Sequence, residues 1–376
     1  MSSDQSALNP DITAANFTLT WPSVWPKLFT PSAKKHLVYK KQPEHFVVTE
    51  QLGFEPSGAG EHLFLWIEKT NLNTEQVSGF LCRQFNLHKR DVAYSGLKDK
   101  FATTYQWFSI PWPIKKVLPH LEEVSGVGWK ALKMQRHDRK LKRGVHKTNA
   151  FAIELHSKGL LPEDWAAIEA RLSVISEQGF ANYFGEQRFG HQGGNLVKAH
   201  KLFNKEIKLK KPMRSIVLSA ARSYLFNQYL AKRITAQQWQ VLLEGDVLQI
   251  DGSQSYFIDA INDDITQRFN HKKLHAMGPL IGQPNRDYDD FLKGSAAQFM
   301  QWHAIEQLWP EKLANAGLKT LFRALRVMPK SLDFTLVDNH KMQLYFELPT
   351  GSFATSLLRE ISAVNYTNIE LSSINE

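Results

Sequence analysis

Bulky apolar residues between His62 and Ile67 read as a strand, and the Asn73-Thr74-Glu75-Gln76 stretch after it as a helix start, with Gln three residues beyond Asn73. Val77, Phe80, Leu81 and Phe85 then recur at helical spacing. The run Tyr105 to Ile110 and the segment Asn149 to Leu155 read as further strands, the second with Phe151, Ile153 and Leu155 on one face. Asp99, between two of these elements, is expected in a loop that delivers residues to a sheet surface. From Pro162 to Glu177 the positions Trp165, Ile168, Leu172 and Ile175 follow a helical period, and a longer helix is expected over roughly Ser215 to Ile234. Strand character returns at Gln343 to Leu348, ahead of a final helix near Ser352. Strands toward both ends and a more helical middle predict an α+β domain interrupted by an insertion.

Composition adds a size and a sign. A chain of 376 residues exceeds what one growing core holds, so two domains are expected. A formal net charge of +9 points to a polyanionic partner, nucleic acid first. Lys133 to Lys147 carries seven Lys/Arg against Asp138, and Lys198 to Arg214 seven against Glu206. A solvated helix face would be balanced by acids at i,i+4, and these runs are not. Arg136, Arg139, Lys140 and Arg143 in the first, with Lys205, Lys208, Lys210 and Lys211 in the second, are therefore expected on an RNA backbone, as two walls of a cleft. No long apolar run or lipidation motif favours a membrane. The first thirty-five residues are polar, with Asp4 and Asp11 and no apolar h-region, so a cytoplasmic protein is expected. The single cysteine, Cys82, excludes an intramolecular disulfide and reads as a small core residue.

Candidate chemistry centres on Ser95-Gly96-Leu97-Lys98-Asp99-Lys100, continuing through Thr104 and Gln106. One carboxylate between two lysines, after a glycine that permits a sharp bend, is a possible nucleophile and equally a solvated turn. A second string, Asn182-Tyr183-Phe184-Gly185-Glu186-Gln187-Arg188-Phe189-Gly190, changes the balance. Together they resemble the G-x-K-D-x-x-A-x-T-x-Q and N-Y-F-G-x-Q-R-F-G motifs of the tRNA pseudouridine synthase D family. Pro43-Glu44-His45-Phe46, Gly58 to His62, Asn149-Ala150-Phe151, Ser219 to Ser223 and Gly351 to Thr355 with Arg359-Glu360 resemble further motifs of that family, in order. Departures are His45 for the usual Asp, Thr148 where Gly commonly precedes Asn149, and Met277 to Gly282, which only approximates T-G-P-L-P-G.

The resemblance implies a pseudouridine synthase catalytic domain with a mixed or antiparallel sheet, residues 1–179 and 330–376, interrupted by a family-specific α/β domain at 180–329. It implies isomerisation of uridine 13 of tRNA, with Asp99 as nucleophile and Phe46, Phe151 and Phe353 around the target uracil. Alone, each ring reads as core. Asn149 presents a donor and an acceptor to the uracil edge, or caps a strand. Lys98 is expected as an active-site cation; adjacency to Asp99 in a regular strand would place the two on opposite faces, so pairing needs a loop. Glu50 and Lys40, ten residues apart, are placed with the substrate-binding set, although an exposed strand Glu is equally open. No cofactor is required, because isomerisation involves no oxidation or external group. Fourteen histidines show no H-x-x-H or H-E-x-x-H spacing, so no metal is expected. tRNA is the expected partner, and no obligatory protein partner is implied. The competing reading is a non-catalytic RNA-binding protein or RNA chaperone using the same basic cleft.

Overall fold

The computed structural model describes residues 25–28, 36–157, 159–302, 306–361 and 363–366. The polar opening stretch lies outside them except for 25–28. In chain order the elements begin with β1 (His36–Tyr39), β2 (Phe46–Gln51), β3 (His62–Thr70), α1 (Thr74–Phe85), β4 (Ala93–Tyr94) and β5 (Thr103–Pro111). β6 (Ser125–Gly126), β7 (Trp129–His137), β8 (Thr148–Ser157) and α2 (Pro162–Gln178) follow. Next come β9 (Phe180–Ala181), α3 (Gly194–Phe203), α4 (Lys211–Thr235), β10 (Val247–Ile250), β11 (Tyr256–Phe257), α5 (Asp263–Asn270) and β12 (Leu274–Leu280). Then follow α6 (Arg286–Lys293), α7 (Trp309–Asn315), β13 (Leu321–Ala324), β14 (Arg326–Val327), β15 (Lys330–Asp338), β16 (Lys341–Pro349), α8 (Ala354–Ile361) and β17 (Ala363–Tyr366).

Two compact units result. One comprises Pro31–Glu177, Met328–Ala354 and Ile361–Glu376, the other Met1–Thr30, Gln178–Val327 and Thr355–Glu360. The architecture is α+β.

The first unit is one sheet of eleven strands, ordered β15-β16-β8-β2-β5-β3-β7-β6, with β1 beside β8 and β17, and β4 beside β5. β2 runs parallel to β5 and β1 to β17, while β8 is antiparallel to β16 and β2, so the sheet is mixed. Alternation in β8 buries Phe151, Ile153 and Leu155 on one face, as their spacing predicts. Across the ladders Glu50 faces Asn149, Phe46 faces Ile153, and Phe346 faces Phe151. α1 starts at a capping box in which Asn73 Oδ1 accepts from the Gln76 N–H and Gln76 Oε1 from the Asn73 N–H. Its Val77 and Leu81 join Leu63, Leu65, Ile67, Phe108 and Ile110 in a buried cluster, each such side chain contributing about 1.5–3 kcal/mol. Cys82 is only partly buried at the edge of this cluster. The first basic run forms β7 and the segment after it, so no helix face is involved.

The second unit is organised on α4, 25 residues long, which buries Ala220, Ala221, Leu225, Tyr229 and Leu230. Beside it lies a four-stranded sheet ordered β11-β10-β12-β13. Gly278 in β12 permits this approach: a Cβ there would come within 2.8 Å of Tyr229 Cδ1 and 2.9 Å of Leu325 Cδ2. The Asn182 to Gly190 string is fastened by the Phe184 N–H to Asn227 Oδ1 (2.9 Å), Asn227 Nδ2 to Phe184 O (3.0 Å) and Asn182 Nδ2 to Ala324 O (2.8 Å). Ser356 on α8 donates to Tyr183 O at 2.9 Å, and the Leu28 N–H donates to Glu360 at 2.9 Å. These motif residues hold backbone together.

Candidate active site

Residues 95–102 form a loop between β4 and β5, and several side chains fix its path. Thr74 Oγ1, at the first turn of α1, accepts from the Lys98 N–H (2.9 Å) and donates to Gln106 Oε1 (2.8 Å), while Gln106 Nε2 donates to Gly96 O (3.2 Å). The chain bends at Ser95-Gly96, but Gly96 carries no left-handed φ, so the bend does not by itself require glycine. The residue is small because His146 Cε1 lies 3.0 Å from where its Cβ would stand.

Asp99 projects from this loop with 34% of its side chain exposed, and Lys40 Nζ lies 2.9 Å from its Oδ2. Its backbone carbonyl accepts from Lys69 Nζ at 2.8 Å, and the same ammonium donates to Leu72 O at 2.7 Å. Burial pushes Lys69 down to about 8, with Asp99 pulling it back and Lys98 adding to the fall. Lys40 reaches the carboxylate from a residue at φ 59°, a left-handed conformation costing a side-chain-bearing residue about 1–3 kcal/mol. Its ammonium also sits 3.9 Å from the centroid of Phe46.

Lys98 points elsewhere. Its Nζ pairs with Glu50 Oε2 at 2.9 Å, both side chains being buried, so loop geometry separates Lys98 from the carboxylate beside it and gives that partnership to Lys40. Glu50 is no exposed strand residue: burial raises its pKa, opposed by Lys98 and by the Trp107 N–H, which donates to Oε1 at 3.2 Å. With no exposed side-chain surface, Glu50 is turned to Lys98.

His146 continues this network and was not singled out by sequence reasoning. Its Nδ1 lies 2.5 Å from Ser95 Oγ, 4.0 Å from Glu50 Oε2, and its Nε2 3.3 Å from Asn149 Nδ2. Because an amide nitrogen only donates, Nε2 accepts and Nδ1 carries the proton. Burial, with Lys98 beside it, pushes His146 down to about 4. The imidazole is therefore neutral at pH 7. Asn149 Oδ1 is buried and has no hydrogen-bond partner, an acceptor held ready for a donor.

The three phenylalanines fare differently. Phe46 is 2% exposed, packs on Tyr39 and Phe151 and is covered by Lys40, so it supports the cation that holds Asp99. Phe151 is buried and stacks on Phe346 at 5.2 Å. Phe353, after the turn in which Thr350 Oγ1 donates to His146 O (2.6 Å), is only half-buried. Neither Phe46 nor Phe151 presents an open ring face in this structure, whereas Phe353 is partly exposed.

Of the first basic cluster, Arg136 is committed to structure: its two terminal nitrogens donate to the carbonyls of Gly60, Trp112, Pro113, Ile114 and Lys116. Lys140 donates to Arg90 O, Arg143 stacks on Tyr94 and donates to its hydroxyl, and Arg139 is 82% exposed. Lys205, Lys208, Lys210 and Lys211 are exposed between α3 and the start of α4. His45, Glu154 and His156 converge on the other face of the first sheet, a cluster that linear histidine spacing did not reveal because two members are i,i+2 on a strand and the third is far upstream. No helix among the described residues is long and apolar enough to cross a membrane.

The family model described as tRNA pseudouridine synthase D matches residues 30–208 and 192–361. A tRNA pseudouridine synthase D of Pseudomonas putida strain W619 is 40% identical over 325 residues, 86% of this chain and 90% of its own length. One from Methylococcus capsulatus is 40% identical over 323 residues, 85% and 89% of the two chains. The fold is similar to the crystal structure of a protein assigned as tRNA pseudouridine synthase D from Methanosarcina mazei, with a TM-score of 0.63 and 19% identity over 90% of this chain and 96% of that one. By these matches, the chain belongs to the tRNA pseudouridine synthase D family.

Proposed function

We propose that this protein isomerises uridine to pseudouridine in tRNA, position 13 being the target its motifs imply, with Asp99 as the nucleophile. The observation that carries the reading is the Asp99 carboxylate, one-third exposed in a loop pinned from behind and paired with Lys40 at 2.9 Å. Attack by a carboxylate oxygen on C1′ or on uracil C6 leads to cleavage of the N1–C1′ bond, and the detached uracil turns until C5 meets C1′. The C5 hydrogen leaves as a proton and the carboxylate is released, so no electrons enter or leave. A base taken out of its stack needs a ring to lie on and a polar edge to read it. Phe353 offers the first, and the unpartnered Oδ1 of Asn149 accepts from a uracil N–H. Glu50, Lys98 and His146 set the positions of Asp99 and Asn149 without touching the base. Residues 180–329 are the inserted domain in this reading, and the exposed lysines and arginines of both basic clusters contact the tRNA backbone.

The test is tritium release from unmodified tRNA labelled at C5 of uridine, since forming C5–C1′ displaces that hydrogen. The wild-type chain is expected to release it, and Asp99→Asn to lose release while binding tRNA within a few-fold. Wild-type release by Asp99→Asn overturns the nucleophile; release from a tRNA carrying cytidine at position 13 overturns the assigned target.

A further inference from the structure

Three side chains on the face of the first sheet opposite Phe46 meet without a part in the proposed chemistry. Alternation along β8 turns Phe151, Ile153 and Leu155 inward and leaves Glu154 and His156 together on the other side. β2 starts beside them, with Phe46 opposite Ile153, so His45 arrives next to Glu154. His45 Nε2 lies 3.3 Å from Glu154 Oε1, His156 Nε2 lies 2.8 Å from the same oxygen, and the two rings are 4.7 Å apart. One ligand atom from each residue falls within 4.8 Å of the others.

That spacing is close to a coordination shell. Ligand atoms about 2.0–2.2 Å from a tetrahedral ion stand about 3.3–3.5 Å from one another, and the His45 approach matches. The His156 approach is closer, and its buried Nε2 has no hydrogen-bond partner, which leaves it able to turn its lone pair to an ion.

Lys41 and Lys341 stand beside the cluster. These cations oppose a second positive charge. Lys341 Nζ lies 3.4 Å from Glu154 Oε1, but a third of its side chain is exposed and it has water to swing into.

We propose that His45, Glu154 and His156 bind a divalent cation of the zinc class, joining the entry of β2 to β8. Two imidazoles and one carboxylate suit Zn²⁺ and its first-row neighbours, whereas Mg²⁺ and Ca²⁺ take oxygen. Three protein ligands leave a fourth position. Glu154 also borders a hollow of about 370 Å³, together with Glu44, Ala152, Asp333 and Tyr345.

The experiment uses the full chain stripped with chelator and titrated by calorimetry with Zn²⁺ and, separately, Mg²⁺. One Zn²⁺ site is expected, no Mg²⁺ heat, and a melting temperature that rises with Zn²⁺ concentration. His45→Asn, Glu154→Gln and His156→Asn should each weaken Zn²⁺ by more than about tenfold, since even outer-shell substitutions cost that much. Lys341→Gln should tighten it several-fold by removing the competing cation, and this partly exposed substitution keeps most of the side chain's length. Zn²⁺ affinity unchanged in the His45→Asn/His156→Asn double variant overturns the site, as does affinity unchanged or weakened in Lys341→Gln.

Discussion

His146 shows how a buried neutral base can make this site acid-sensitive. Its pKa in the folded chain is about 4, below the ordinary 6.5, so the fold favours the uncharged ring. The unfolded chain binds that proton more readily, and the stabilisation is full above 6.5 and lost as pH falls through 4. Lys98 and Glu50 face the same ring, and Glu50 shifts in the opposite direction for a carboxyl, so the wild type alone does not isolate the effect. The comparison is with His146→Gln in urea unfolding at steps from pH 7 to pH 4: the wild type is expected to lose stability faster than the variant across that window. Parallel curves would mean that the ring is already solvated enough to charge in place.

At the scale of elements, β2 and β8 carry most of the site: Phe46 and Glu50 on one, Asn149 and Phe151 on the other, paired in register. Phe46→Ala removes a buried ring and the platform under Lys40, with an expected stability loss of about 3–5 kcal/mol and impaired turnover. Phe353→Ala should leave the melting temperature nearly unchanged and cost turnover about 1–3 kcal/mol, the worth of one stacking contact. Equal destabilisation of the two variants, followed by thermal melting, would count Phe353 as core as well. The alternation in β8, the capping box of α1 and the helical period of α2 were legible because each is a local pattern enforced by burial or by an orphan N–H. Which cation pairs with Asp99 was not legible. That depends on a loop that turns Lys98 back toward Glu50, and on Lys40 arriving from another strand end. His146 gave no local signal either, since its importance comes from contact with Ser95 and Asn149 rather than from its neighbours in sequence. Arg136 misled in the other direction: a charge run reads as solvent-facing until its guanidinium is found among five carbonyls.

On the scale of the whole molecule, charge is distributed over both units, and each cluster can be tested alone. Replacing Arg139, Lys140 and Arg143 by Gln, or Lys205, Lys208, Lys210 and Lys211 by Gln, should weaken tRNA binding and flatten the plot of log K against log salt. Each lost phosphate contact is worth about 0.7–0.9 in that slope. Arg136 belongs in neither set, because its substitution would loosen the chain at Gly60 and around Trp112 to Lys116. Activity at saturating tRNA should survive better than affinity. A cluster whose neutralisation leaves slope and affinity unchanged in filter-binding measurements is a solvated surface.

β8 has β2 and β1 along one edge and β16 along the other. During synthesis the first neighbours are already made when β8 emerges, but Lys341 to Pro349 lie roughly 180 residues further on. At about 5–20 residues per second the open edge waits roughly 10–40 seconds, with Phe151, Ile153 and Leu155 beside it short of their cover. A ribosome stalled between these two strands therefore holds a sticky half-sheet, and the interval is a built-in demand for a holding chaperone or for fast translation of the middle of the message.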